Sequence, residues 1–183
     1  MPYYPPLTLG NHTHDLAHLD PVTFQTPSEK LGRSILTWCR FTTHTFTRAP
    51  EPGDAGPNVW DEGRRPRVFC PDRYALSFHL PSAVNELAVP SRHVWQTAAE
   101  RNWLHRAEVH VVAGGARIAY QVFFGVKKAG RADPHDVEMT VESAYAFDPR
   151  RVPKLRGRMA MVGLLTATVE GRHVHTQGAH RKR

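Results

Sequence analysis

Cysteine is scarce: Cys39 and Cys70 are the only two in 183 residues. Two thiols cannot form a disulfide framework, so a hydrophobic core must hold the fold, and free thiols point to the cytoplasm. Long apolar runs are missing as well. None approaches the ~18–20 residues that a membrane span needs, and mean hydropathy is −0.47. The first fifteen residues have neither the basic nor the apolar region of a secretory signal, so no membrane partner is expected. Acidic residues are nearly absent from the last fifth of the chain. There, nine Lys or Arg face the single acid Glu170, which puts residues 150–183 at +8 and the first 149 residues at −1. That asymmetry points to a polyanion, nucleic acid before anything else, with Lys154, Arg156, Arg158, Arg181, Lys182 and Arg183 as its contacts.

What is present is clearest between residues 106 and 147. Residues 106–113 alternate polar and apolar side chains, Gly114-Gly115 supplies a two-residue positive-φ turn, and residues 116–127 return with Ile118, Tyr120, Val122, Phe124 and Val126 on one face. Residues 137–147 form a third strand with Val137, Met139, Val141, Tyr145 and Phe147 on one side. A three-stranded antiparallel meander follows. The expected fold class is α+β: an N-terminal strand and helices, the twisted antiparallel sheet, then a C-terminal helix and a basic tail.

Residues 1–20 lack a period and are expected to be a loose extension, with one domain over 21–174 and a tail over 175–183. Residues 34–48 are dense in β-branched and aromatic residues and read as one strand. On its even face Arg40, His44 and Arg48 would make a row in which cations hold a phosphate and an imidazole moves a proton. Residues 49–67 hold four prolines and read as a long loop. A helix is expected over 68–88, with Pro71 in its first turn and an interruption at Pro81-Ser82. Further helices are expected over 92–102, burying Trp95, Ala98 and Ala99, and over 154–169, stopped by Gly171. Histidines cluster at both ends (His12, His14 and His18; His173, His175 and His180) without a recognised ligand spacing, so no metal and no cofactor are expected.

Mixed N-terminal elements followed by an antiparallel sheet resemble the plan of small bacterial metal-independent ribonucleases and toxins: the barnase, EndoU, colicin and RelE-like group. The stretches RVFCPDRY (67–74) and VESAYAFD (141–148) also resemble a bacterial family labelled stationary-phase growth adaptation proteins. The ribonuclease resemblance implies cleavage of single-stranded RNA through the ribose 2′-hydroxyl. His44 and His105 would be the acid and base, Arg67 and Arg73 would stabilise charge on the phosphate, and Ser143 and Tyr145 would supply hydroxyls. RNA is then the preferred partner over DNA, and a toxin of this kind calls for an inhibitor protein. The alternative is a non-catalytic nucleic-acid-binding or regulatory protein, whose affinity would sit in the basic 150–183 segment and fall with salt.

Overall fold

A computed structural model describes residues 3–97, 105–151 and 154–172. Its centre is a seven-stranded sheet flanked by three α-helices and a small three-stranded sheet. The strands in chain order are β1 (Leu7–Leu9), β2 (His12–His14), β3 (Val22–Ser28), β4 (Arg33–Phe41), β5 (Thr47–Arg48), β6 (Val59–Trp60), β7 (Pro66–Phe69), β8 (His93–Thr97), β9 (His105–Ala113), β10 (Ala116–Lys128), β11 (Val137–Ala146) and β12 (Leu155–Ala160). The helices are α1 (Pro71–Ser77), α2 (Leu80–Leu87) and α3 (Met161–Val169). The large sheet runs β12-β8-β9-β10-β11-β4-β3. Every pairing in it is antiparallel except β11 with β4.

The meander forms as its alternation demands. Gly114 and Gly115 take φ values of +57° and +78°, the left-handed pair that a two-residue hairpin requires. A Cβ at Gly115 would meet nothing within 4 Å, so a substitution there strains the backbone alone. Gly115→Val is expected to lower stability by about 1–3 kcal/mol, the cost of a β-branched residue held at positive φ. Urea unfolding measures it, and an unchanged midpoint would place the constraint elsewhere.

The core lies on the helix-covered side of the sheet. Ile35, Cys39 and Phe41 of β4, Met139 and Val141 of β11, Val122 and Phe124 of β10 and Val109 of β9 share it with Leu80, Val84 and Leu87 of α2 and Leu164 and Leu165 of α3. The 68–88 stretch breaks into two short helices, as Pro81 demands, with Leu76, Leu80, Val84 and Leu87 buried. Gly171, at φ +69°, follows α3 and ends it.

Four segments differ from the sequence reading. Residues 1–20 are not a loose extension where they are described: β1 and β2 form a hairpin, and Leu16 and Leu19 enter the core. The helix expected over 92–102 is the strand β8, whose residues His93-Val94-Trp95-Gln96-Thr97 suit a pleated surface better than a helix; Ala98 and Ala99 fall outside the described residues. The helix expected over 154–169 is a strand, β12, followed by α3, because Gly157 weakens the first half and β8 offers that half a pairing edge. Residues 34–48 are not one strand: β4 stops at Phe41 and a 3-10 turn, Thr43–Thr45, follows. Among the described residues no helix is long and apolar enough to cross a membrane.

Candidate active site

The threonines explain why β4 stops. The Thr42 hydroxyl accepts from the His44 amide (3.3 Å), Thr45 Oγ1 donates to the Thr42 carbonyl (2.7 Å), and Thr47 Oγ1 donates to the Thr43 carbonyl (2.7 Å). These local bonds give the backbone an alternative to the ladder. They also undo the expected row of Arg40, His44 and Arg48. Arg40 stays on β4 and donates to Thr140 Oγ1 (3.1 Å). Arg48 is held by both oxygens of Asp54, at 2.7 and 2.5 Å. His44 turns towards the 49–67 segment instead.

That segment carries the groups that orient His44. Asp61 Oδ2 lies 3.0 Å from His44 Nε2. The same carboxylate accepts from the backbone amides of Gly63 (2.9 Å) and Arg65 (2.8 Å) and from Arg65 Nε (2.8 Å). Burial pushes the Asp61 pKa up, but the Arg65 amide, the His44 imidazole and the Arg65 guanidinium outweigh it and hold the carboxyl far below the usual range. Asp61 therefore stays ionised against an imidazole whose side chain is 22% exposed. Next to it, Glu62 accepts from the Thr43 amide (3.1 Å) and from the Tyr4 hydroxyl (3.1 Å), which fixes the turn from the other side.

β11 contributes the opposite wall. It pairs parallel to β4, so both strands deliver their carboxyl ends to one place: the Thr42 amide donates to the Val141 carbonyl (3.0 Å) and Thr42 Oγ1 to the Glu142 carbonyl (2.8 Å). Glu142 is the extra residue of a β-bulge, because Phe124 pairs with Val141 and Phe123 already pairs with Ser143. The bulge shifts the alternation by one. Ala144, not Ser143 or Tyr145, points into the core, and Phe147 ends 42% exposed. Tyr145 and Phe147, expected on the apolar face with Val141, are corrected accordingly. Glu142 itself is half-buried. Desolvation raises its carboxyl pKa, Arg40 and His44 pull it down, Glu62 pushes it up, Arg65 pulls it down, and the balance is upward.

Arg73 of α1 ties the two walls together. One of its guanidinium nitrogens donates to the carbonyls of His44 (3.0 Å) and Thr47 (2.8 Å) and reaches Ser143 Oγ at 3.4 Å. The guanidinium lies over the Tyr145 ring at 5.1 Å, and that ring stacks on Phe123, also at 5.1 Å. Arg67 joins from β7 through Thr47, its Nε 3.1 Å from Oγ1 and its terminal nitrogen 3.2 Å from the carbonyl. Burial and then the neighbouring Arg73 lower its pKa. A cleft of about 320 Å³ opens here, lined by Arg48, Cys70, Arg73, Tyr145 and Asp148 among others.

His44, Arg40, Arg67, Arg73, Ser143 and Tyr145 are thus gathered around one strand junction. His105 is not. It shares the core face of β9 with Ala107 and Val109, is 4% exposed, packs its ring 5.7 Å from that of Phe124, and leaves both ring nitrogens without a hydrogen-bond partner. Three strand spacings of about 4.8 Å separate β9 from β4, so His105 cannot share a phosphate with His44. Its place as acid or base is corrected. Sequence reading missed Asp61, Glu62 and Glu142. The first two carry a readable signal, a carboxylate followed by Gly63 in a polar turn; the third depends on a bulge that no local pattern announces. Of the basic contacts, Arg158 lies at the far side of the sheet, on β12, with its guanidinium 5.8 Å from the Trp95 ring. Arg156 shares that strand and Lys154 precedes it. Arg181, Lys182 and Arg183 lie outside the described residues. At the N-terminus His14 and His18 pack against Phe69 and Phe78, with ring centroids 4.3 and 3.8 Å apart.

These features define an α+β protein with a mostly antiparallel sheet and a histidine–carboxylate cluster at the carboxyl ends of the parallel pair β4 and β11. Residues 6–169 match the model of the YjaZ family, and the chain belongs to that family. No curated protein and no solved structure matches it.

Proposed function

We propose that this protein is a metal-independent endoribonuclease of the bacterial toxin kind, cleaving single-stranded RNA by acid and base catalysis at the junction of β4 and β11. The observation that carries the reading is the half-buried Glu142, its carboxyl pKa raised, beside an imidazole held by the ionised Asp61. Two proton-transfer groups of different chemistry, close enough for His44 to act on the Glu142 carboxyl, are what attack by a neighbouring hydroxyl needs. Glu142 takes the proton of the ribose 2′-hydroxyl. The 2′-oxygen bonds to phosphorus, and the bond to the 5′-oxygen of the next nucleotide breaks. His44 gives that oxygen its proton, and the Asp61 carboxylate, 3.0 Å from Nε2, orients the ring that gives it. Arg40 and Arg73 face the charge that builds on the phosphate, and the Ser143 and Tyr145 hydroxyls border it.

The test is incubation of the full chain with single-stranded RNA in EDTA. Cleavage is expected, with products ending in 2′,3′-cyclic phosphate, and an oligomer with a single ribonucleotide in a DNA backbone is expected to be cut only after that residue. Products with 5′-phosphate ends, or equal cutting of all-DNA, would overturn the mechanism. An RNA that is bound but never cut would transfer the assignment to a non-catalytic nucleic-acid-binding protein. Arg40, Arg48 and Arg65 already have protein partners, which favours the basic C-terminal segment as the source of affinity in that case.

A further inference from the structure

We propose that Asp133, His135 and Glu138 form a binding site for one divalent transition-metal ion, Zn²⁺ by preference, which fastens the loop between β10 and β11 to the sheet. One ligand atom from each of the three lies within 4.8 Å of the others, the spacing a single ion can bridge. The proposal does not rest on the ribonuclease reading.

Each carboxylate has one oxygen engaged and one left for an ion. Asp133 Oδ2 accepts from the Gly130 amide at 2.7 Å, and Glu138 Oε2 pairs with Lys127 Nζ at 2.8 Å. The imidazole between them is held by aromatic stacking on Trp38, centroid to centroid 5.8 Å and 23° from parallel. Trp38 is also the cross-strand partner of Glu138, so the stack and the ligand share one register. His135 Nε2 is shielded from solvent and has no hydrogen-bond partner, an uncompensated polar atom that native structures rarely keep without a reason.

Asp136 already ties the loop to β4, and an ion adds a further tie through the three side chains around it. The Ala129 amide donates to the Asp136 carbonyl (3.0 Å), and the Asp136 amide to the Leu36 carbonyl (2.8 Å). Asp136 also takes Arg33 in a two-point pair, at 2.8 and 2.7 Å. A Cβ at position 130 would sit 2.9 Å from Asp133 Oδ2, so the glycine is what lets that carboxylate fold back over its own turn. One imidazole with two carboxylates is a donor set that Zn²⁺ accepts, and a site of this kind binds it more tightly than Mn²⁺ by the general order of divalent affinities.

Calorimetric titration of the full chain with Zn²⁺ at neutral pH tests the site. Twelve histidines supply background, so the comparison between variants decides. The tightest binding event of the parent is expected at one ion per chain and should weaken at least tenfold in His135→Gln and in Asp133→Asn, both checked for folding by circular dichroism. Addition of Zn²⁺ should also change tryptophan fluorescence in the parent but not in Trp38→Phe. Asp133 is exposed, so Asp133→Asn carries the test if His135→Gln does not fold. Zn²⁺ binding by a folded variant with the affinity and stoichiometry of the parent would overturn the proposal. So would a parent that binds no ion below millimolar concentration.

Discussion

The His44→Gln protein is expected to cleave single-stranded RNA about 10²-fold or more slowly than the parent, the usual worth of a general acid or base. Its melting temperature should stay within a few degrees. The two expectations separate because of how the side chain is held. Glutamine can place an amide N–H where His44 Nε2 lies, 3.0 Å from Asp61, so the buried carboxylate keeps a partner. It cannot exchange a proton near neutral pH. Asp61→Asn should behave differently. That side chain is 1% exposed and accepts from three groups besides His44, so its loss should lower stability and activity together. Equal cleavage by parent and His44→Gln would remove His44 from the chemistry and leave Glu142 and Arg73 to be tried by Glu142→Gln and Arg73→Lys.

Acidification from pH 6.5 to 4 is expected to cost the fold about 3 kcal/mol, at about 1.4 kcal/mol per pH unit, through His105. Burial pushes the His105 pKa down to about 4 in the folded chain. In the unfolded chain it returns to about 6.5. Below that value the unfolded state takes up a proton that the folded state refuses, so stability is full above pH 6.5, falls between 6.5 and 4, and levels off where the folded state also protonates. His18, whose pKa burial also lowers, adds in the same direction. Asp61, its carboxyl held far below the ordinary value, adds a loss of its own that begins only as pH falls through the ordinary carboxylate range. Urea unfolding at a series of pH values reads the slope. His105→Leu, which keeps an apolar contact with Phe124, should flatten most of it; an unchanged slope would show that another group carries the acid lability.

The parts legible in the sequence were those decided by local pattern. Strict alternation around Gly114-Gly115 specified the hairpin, because one slip of register would turn Val109, Tyr120 and Val122 out of the core. Pro71 and Pro81 marked the helix starts because proline suits only the first turn. What escaped was decided at long range. Tyr145 reads as a core residue until the bulge at Glu142 moves it beside Arg73. Leu155, Met159 and Val162 have helical spacing, yet the edge of β8 recruits the first two into a strand. His105 looks like an exposed residue at a strand start, and only its pairing opposite Phe124 shows that it is enclosed. At the candidate site, Arg73 and His44 were readable as residue types suited to phosphate chemistry. Their convergence through a backbone carbonyl was not, since no spacing in the sequence encodes it.

The parallel pairing of β4 with β11 also sets a timetable. Arg40 and Thr140, neighbours across that junction, are 100 residues apart in the chain. The pairing must therefore close a long loop before it gains any contacts, which places it among the slow steps of folding. During synthesis, at about 5–20 residues per second, β4 leaves the ribosome many seconds before its partner exists. One edge of β4 can pair early with β3, while the other stays open and prone to wrong partners until β11 arrives. The cluster at the carboxyl ends of the two strands is thus among the last features to be completed, and a nascent chain that stops short of residue 142 carries His44 and Asp61 with no Glu142 to work against.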